Sequence, residues 1–298
     1  MRRRLAGARP VLDVLMGLGL LVIAVQVVLA VVGAPGLSPL AGVLVTGTGV
    51  VLVTACSLLV AVAPVADDVG PVVLASPVRG RWAAVNSPGQ RLPSHGTRAR
   101  GQYCAVDVCG PDTPGTPPVV SWSLRGSRPE EYACFGAPVH AMAGGRVVTA
   151  YDGRRDHRSR NTWPLLAFML VVEGLAREVA GTRAILGNHV VVDHGDGTYA
   201  AYAHLGRGSV AVRAGDEVAV GDVLGRLGNT GNTSMPHLHV QLMDRADPDA
   251  AAGIAMTWRD AVPTGELDPA LARWAKDPHP TALLGMPRNA ELFETTTP

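Results

Sequence analysis

The chain of 298 residues has almost no net charge: 26 basic side chains stand against 25 acidic ones, for a formal charge of +1. Electrostatic capture of nucleic acid is thereby excluded as its main function. Lysine is nearly missing, Lys276 being the only one, so no hairpin-tip lysine exists for a lipoyl-type attachment. Aromatic residues make up 4% although 47% of the chain is apolar and the mean hydropathy is +0.20; the excess is therefore small and aliphatic. No glutamate stands in a His-Glu-x-x-His helix, which excludes a thermolysin-type arrangement. The most consequential absence is local. Between Val14 and Ala66 there is no Asp, Glu, Lys, Arg or His, and Gln26 is the one strongly polar side chain.

No soluble core explains such a run. A hydrocarbon layer of roughly 30 Å needs about 20 apolar helical residues, so the run predicts two spans, residues 11–32 and 40–63, joined by a turn from Gly33 to Pro39. Residues 1–66 thus read as a membrane anchor in contact with the bilayer through residues 11–63. The start Met1-Arg2-Arg3-Arg4 also resembles a signal peptide, but the apolar part is too long for one, and a second span would survive cleavage near Ala34. Arg2, Arg3, Arg4 and Arg9 favour a cytoplasmic N-terminus, and two spans return the chain to the same side. Asp67 and Asp68, then Arg79 and Arg81, give a weaker positive signal beyond the second span.

Residues 67–244 read as one mainly β domain, large enough to bury a core. Strands are expected at Pro71–Ala75, Val139–Thr149, Asn188–Asp193, Thr198–Ala203, Ser209–Val212 and His237–Leu242, with hairpins through the Gly-Asp turns of Val210–Gly225. A helix inserts at residues 164–180: Asn161 or Thr162 can cap it, Pro164 fits its first turn, and Gly181 can end it. Glu173, Arg177 and Glu178 argue against a third span. Residues 245–298 read as an extension that is partly disordered, frayed from about Pro287.

The chemistry lies with the nine histidines. In Pro236-His237-Leu238-His239-Val240 two imidazoles stand two apart on a strand and so enter one groove. His204 stands at a strand end, and His95 and Asp107 bracket Gly96–Val106. Two imidazoles with a carboxylate are a suitable ligand set for a catalytic zinc that keeps a position open for water. His140 and His157 read as surface residues, His189 and His194 as residues that support a ligand or lie on the surface rather than ligate, and His279 as part of the tail.

Taken together, Ser94-His95-Gly96-Thr97, Asp107, Gly187-Asn188-His189-Val190-Val191, Ala201-Tyr202-Ala203-His204-Leu205 and Gly228-Asn229-Thr230-Gly231-Asn232-Thr233 before Pro236-His237-Leu238-His239 resemble the lysostaphin-type (LytM) zinc metallopeptidases of bacterial cell walls. The resemblance spans residues 67–244. It implies an antiparallel β domain of the duplicated hybrid motif type, sandwich-like, with the inserted helix and the two transmembrane helices added to it. It implies one zinc ion held by His95, Asp107 and His239, with His204 and His237 assisting catalysis on peptidoglycan peptides. It also implies a peptidase domain on the extracytoplasmic side, which conflicts with the N-terminal arginines. One departure stands out: the family's common spacing puts the first ligand four residues before the Asp, where this chain has Tyr103, whereas His95 lies twelve residues ahead. A catalytically inactive domain that binds cell wall or regulates another hydrolase is the alternative, and a two-histidine phosphocarrier is a weaker one. Cys104, Cys109 and Cys134 leave any one of three disulfides open.

Overall fold

The computed structural model describes residues 2–33, 37–60, 62–66 and 70–295. Residues 34–36 of the expected turn, and Asp67 and Asp68 at the expected domain start, lie outside them. A short helix α1 (Arg2–Gly7) leads into two long ones, α2 (Arg9–Val31) and α3 (Pro39–Val60). At 1.5 Å per residue they extend about 35 and 33 Å, enough to cross a hydrocarbon layer. They pack closely where Gly19 meets Gly49: a Cβ on either would lie 3.1 Å from the other's carbonyl oxygen. Small residues at such crossings let apolar helices approach without a solvent-driven core.

The rest is built on a sheet. Its strands are β1 (Val72–Leu74), β2 (Gly80–Val85), β3 (Val106–Cys109), β4 (Pro138–His140), β5 (Gly145–Tyr151), β6 (Asn188–Asp193), β7 (Tyr199–Leu205), β8 (Glu217–Val218), β9 (Val223–Arg226), β10 (Leu238–Met243), β11 (Gly253–Ile254), β12 (Met256–Trp258), β13 (Ala261–Leu267) and β14 (Glu291–Thr295). Ten of them form one antiparallel sheet in the order β13-β14-β2-β3-β10-β7-β6-β5-β8, with β11 added on β10. Two small pairs, parallel β1-β12 and antiparallel β4-β9, complete it. Alternation along β10 sends Leu238, Val240 and Leu242 into the main core with Val106, Val108, Ala200, Tyr202 and Val190. The opposite face of the same strands carries the histidines.

Several expectations are corrected. Residues 138–151 form two strands and not one, because the chain bends at Met142 and Ala143, and Ser209–Val212 is not a strand. The C-terminal extension is not frayed at Pro287: β14 inserts between β13 and β2, with Leu292 and Phe293 buried. Pairing to β2 satisfies its backbone, which composition at a chain end does not reveal. The inserted helix is present as α4 (Trp163–Phe168), a π-helical segment Met169–Glu173 and α5 (Gly174–Val179). Thr162 caps it, its side chain accepting from the Leu165 N–H. Gly181, at φ 83°, ends it and leads to α6 (Thr182–Leu186).

Candidate metal centre

The centre lies where β3, β10 and β7 run side by side. His239 is paired with Asp107 on one flank and with Ala203 on the other. Period-two alternation then puts His239 and Asp107 on one face, away from the core. His204 reaches that face by a different route. It shares the parity of Tyr202, which points into the core, so regular alternation would bury it there. Between Val190 and Asn188 on β6, β7 carries an extra residue, and His204 adopts φ 64°. This bulge turns its imidazole to the histidine face.

The long spacing ahead of Asp107 closes on itself through Ser94. The Ser94 N–H donates to Tyr103 O at 3.1 Å and its hydroxyl to Ala105 O at 2.5 Å. The chain from Gly96 to Gln102 therefore loops out and His95 returns beside Asp107. In that loop Arg100 and Gly101 have φ 55° and 74°. Glycine is required at the second, because a Cβ there would meet Met243 Cγ at 2.7 Å. Tyr103 stacks under Arg98 instead, the guanidinium 3.9 Å from its ring.

Asp107 is the hub. His95 Nε2 lies 3.2 Å from both carboxylate oxygens, His239 Nδ1 lies 2.9 Å from Oδ1, and Asn86 Nδ2 donates to Oδ2 at 2.8 Å. Burial opposes its charge, yet His95 and His237 together with the hydrogen bonds of His239 and His95 hold its pKa well below the usual carboxylate range. His239 Nε2 donates to Gln241 Oε1 at 2.9 Å, and Gln241 Nε2 in turn donates to the carbonyl of Arg100 at 2.7 Å. That hydrogen bond fixes the ring so that Nδ1 faces Asp107, where a bound cation would take the place of the proton the two share. Burial pushes His239 down, but the Asp107 hydrogen bond and charge outweigh it and leave its pKa raised.

The ligand atoms of His95, Asp107 and His239 thus converge within 4.8 Å of one another. Two imidazoles with one carboxylate suit a divalent transition metal. His204 and His237 flank this triad, their rings 4.8 Å apart. His204 Nδ1 donates to Thr230 O and His237 Nδ1 to Met235 O, both at 2.8 Å. Each Nε2 is therefore left as an acceptor, that of His237 3.6 Å from Asp107. Burial first, and then neighbouring imidazoles, push His204 well below its ordinary pKa; burial also lowers His237.

The centre opens into a cavity of about 240 Å³ bounded by Met169, Ile185 and Leu186. Asn86, Asp107, Ser234 and His237 also border a second space of about 350 Å³ whose far wall is Val119, Leu271 and Trp274. All five expected site residues meet here. Gln241 and Asn86 were not expected. Gln241 carried a signal, standing two residues beyond His239 on the same strand face; Asn86 carried none, since only the β2-β3 pairing brings it near. His140 and His189 are buried and not on the surface, and His157 is mostly buried: they donate to or face the carbonyls of Gly221, Gly187, Arg158 and Gly231. Cys104, Cys109 and Cys134 are buried free thiols, and burial pushes Cys104 up to about 12.

Residues 171–250, which include His204, His237 and His239, match peptidase family M23. Over 87 residues, 29% of this chain, it is 34% identical to the peptidoglycan DD-endopeptidase ShyA of Vibrio cholerae and 33% identical to the DD-carboxypeptidase/endopeptidase Mpg of Neisseria meningitidis. The chain spans only 20% and 18% of the length of these relatives. The catalytic domain of lysostaphin from Staphylococcus simulans superposes with TM-score 0.28 at 22% identity, covering 43% of this chain and 84% of that one. A zinc-containing peptidase from Vibrio cholerae gives TM-score 0.28 at 18% identity over 64% and 37%. The part of this antiparallel sheet that carries His204, His237 and His239 thus lies in the segment that matches peptidase family M23.

Proposed function

We propose that the chain is a membrane-anchored zinc endopeptidase that hydrolyses peptide bonds of peptidoglycan. The observation that carries the reading is the convergence of His95, Asp107 and His239 beside two imidazoles with free Nε2 atoms. When bound there, zinc supplies a Lewis acid for the scissile carbonyl and for the attacking water. His95, Asp107 and His239 would hold it, while Gln241 and Asn86 fix the orientation of His239 and Asp107. His204 and His237 are both neutral at neutral pH, so either Nε2 can take the proton of the attacking water and return it to the leaving amine. A second proton on the pair is disfavoured with rings 4.8 Å apart, so one proton serves both transfers. The complete set of five side chains favours this reading over a non-catalytic binding domain.

The anchor comprises α2 and α3, and a two-helix hairpin puts both chain ends on one side. Arg9 is drawn into a buried ion cluster, 3.6 Å from Glu178, in which Arg100 also meets Asp13, Glu178 and Asp249. Its charge is therefore partly neutralised within the protein, which weakens the arginine signal for a cytoplasmic N-terminus and accommodates a domain facing the cell wall. The test is zinc content and release of peptides from purified peptidoglycan by the full chain in detergent. His239→Ala is expected to lose zinc and hydrolysis together. His237→Ala is expected to keep zinc and lose about 10²–10⁴-fold in turnover. Hydrolysis retained in either variant contradicts the assignment.

A further inference from the structure

The helix from Trp163 to Val179 is turned inside out for a helix beside water. Every exposed side chain between Trp163 and Ala180 is apolar, and Leu170 and Val171 are 68% and 70% exposed. Its charged residues turn the other way. Glu173 accepts from Arg160 at 2.7 Å, Arg177 donates to Asn232 at 3.1 Å, and Glu178 accepts from Arg100 at 2.9 Å. A surface helix of a soluble domain shows the reverse arrangement.

Its neighbour identifies what covers the apolar face. Val179 sits against α2 so closely that a Cβ on Gly17 would lie 2.8 Å from its Cγ1. Gly17 lies roughly 12 Å of helical rise beyond Arg9, past the charged cluster of Arg9 and Asp13 and within the apolar run. The exposed face of the inserted helix therefore adjoins that of a helix long and apolar enough to cross a bilayer. Beside it stand Trp122 and Trp163, their rings 6.3 Å apart and 82% and 47% exposed. Exposed tryptophan pairs suit the headgroup boundary, where an amphipathic ring meets both media.

We propose that this helix is embedded in lipid alongside α2, with its apolar face among the acyl chains and its ion pairs turned to the domain. The proposal rests on α2 and α3 spanning the membrane. One consequence concerns the site: Met169, on the inward side of the same helix, lines the cavity of the metal centre. Seating the helix in lipid holds that side of the cleft at the bilayer surface, so the substrate strand is taken close to the membrane.

The experiment uses the full chain in phospholipid nanodiscs, labelled with a polarity-sensitive fluorophore at Leu170→Cys or, separately, at Leu21→Cys in α2; the native thiols are buried. Doxyl-labelled lipid and aqueous iodide are the two quenchers. Blue-shifted emission, quenched by doxyl lipid and not by iodide at both positions, is the expected result. Quenching by iodide at Leu170→Cys, with Leu21→Cys still quenched by lipid, overturns the proposal and leaves the anchor intact. Shielding of the Leu170 label from both quenchers also overturns it, and assigns the face to a protein. Iodide quenching at Leu21→Cys shows that the anchor reading has failed, and this proposal with it. Circular dichroism of each variant confirms that the fold is kept.

Discussion

Strand β10 and the inserted helix both bury polar groups, and what answers those groups differs. On β10 the buried His239 and Gln241 are answered by Asp107 and by the Arg100 carbonyl. On the helix the partly buried Glu173 and Glu178 are answered by guanidinium groups. At the candidate metal centre the answering groups are ligand atoms that a cation could share; on the helix they are fixed counter-charges. Arg100 joins the two regions, its side chain holding the helix and α2 while its carbonyl holds Gln241.

Removing that joint is expected to have the largest structural effect. Arg100→Ala leaves Asp13, Glu178 and Asp249 in the interior without their common partner. Breaking a buried ion cluster in this way costs about 3–5 kcal/mol, measurable as a lower midpoint of chemical denaturation of the full chain in detergent. An unchanged midpoint would show that the cluster is answered by something other than Arg100. A smaller effect is expected on the β10 side: Gln241→Ala frees His239 to change tautomer and is expected to weaken zinc binding about 10–100-fold, read by chelator competition. If affinity falls while the denaturation midpoint hardly moves, the distinction between chemical and packing burial holds.

The smallest effect is one of pH, in the metal-free protein. Burial depresses the folded-state pKa of His157, His189, His204 and His237. The unfolded chain then binds more protons than the folded one below the ordinary histidine value of about 6.5. Stability contributed by their neutrality is present above that value and is lost as the pH falls through the lowered folded values. Asp107, also depressed, acts in the same direction in the more acid range. Zinc-free protein is expected to lose melting temperature progressively below pH 6.5, and a flat profile from pH 7 to 5 would contradict the burial argument.

Much of the site was legible in the sequence because strand periodicity is local: His237 and His239 needed only the two-residue repeat of β10 to share a face. The long apolar run was legible for the same reason. What escaped depends on distant pairing. β2 and β14 each carry mixed polarity, and only their mutual pairing buries Trp82 and Phe293. Asn86 reaches Asp107 only because Val85 is paired with it. The burial of His140 leaves no trace in composition, because a carbonyl that can accept from an imidazole can come from anywhere in the chain. The bulge that turns His204 is likewise a property of the β6-β7 register.

A loop between His95 and Asp107, pinned by Ser94, brings His95 to the candidate metal site in place of the residue four before Asp107. The most direct test is the zinc content of His95→Ala beside that of Tyr103→Ala, each measured on the full chain after equilibration with a single equivalent of zinc. The structure predicts that Tyr103→Ala binds zinc like the unaltered chain and that His95→Ala does not retain it. Zinc retained by His95→Ala and lost from Tyr103→Ala would contradict the account.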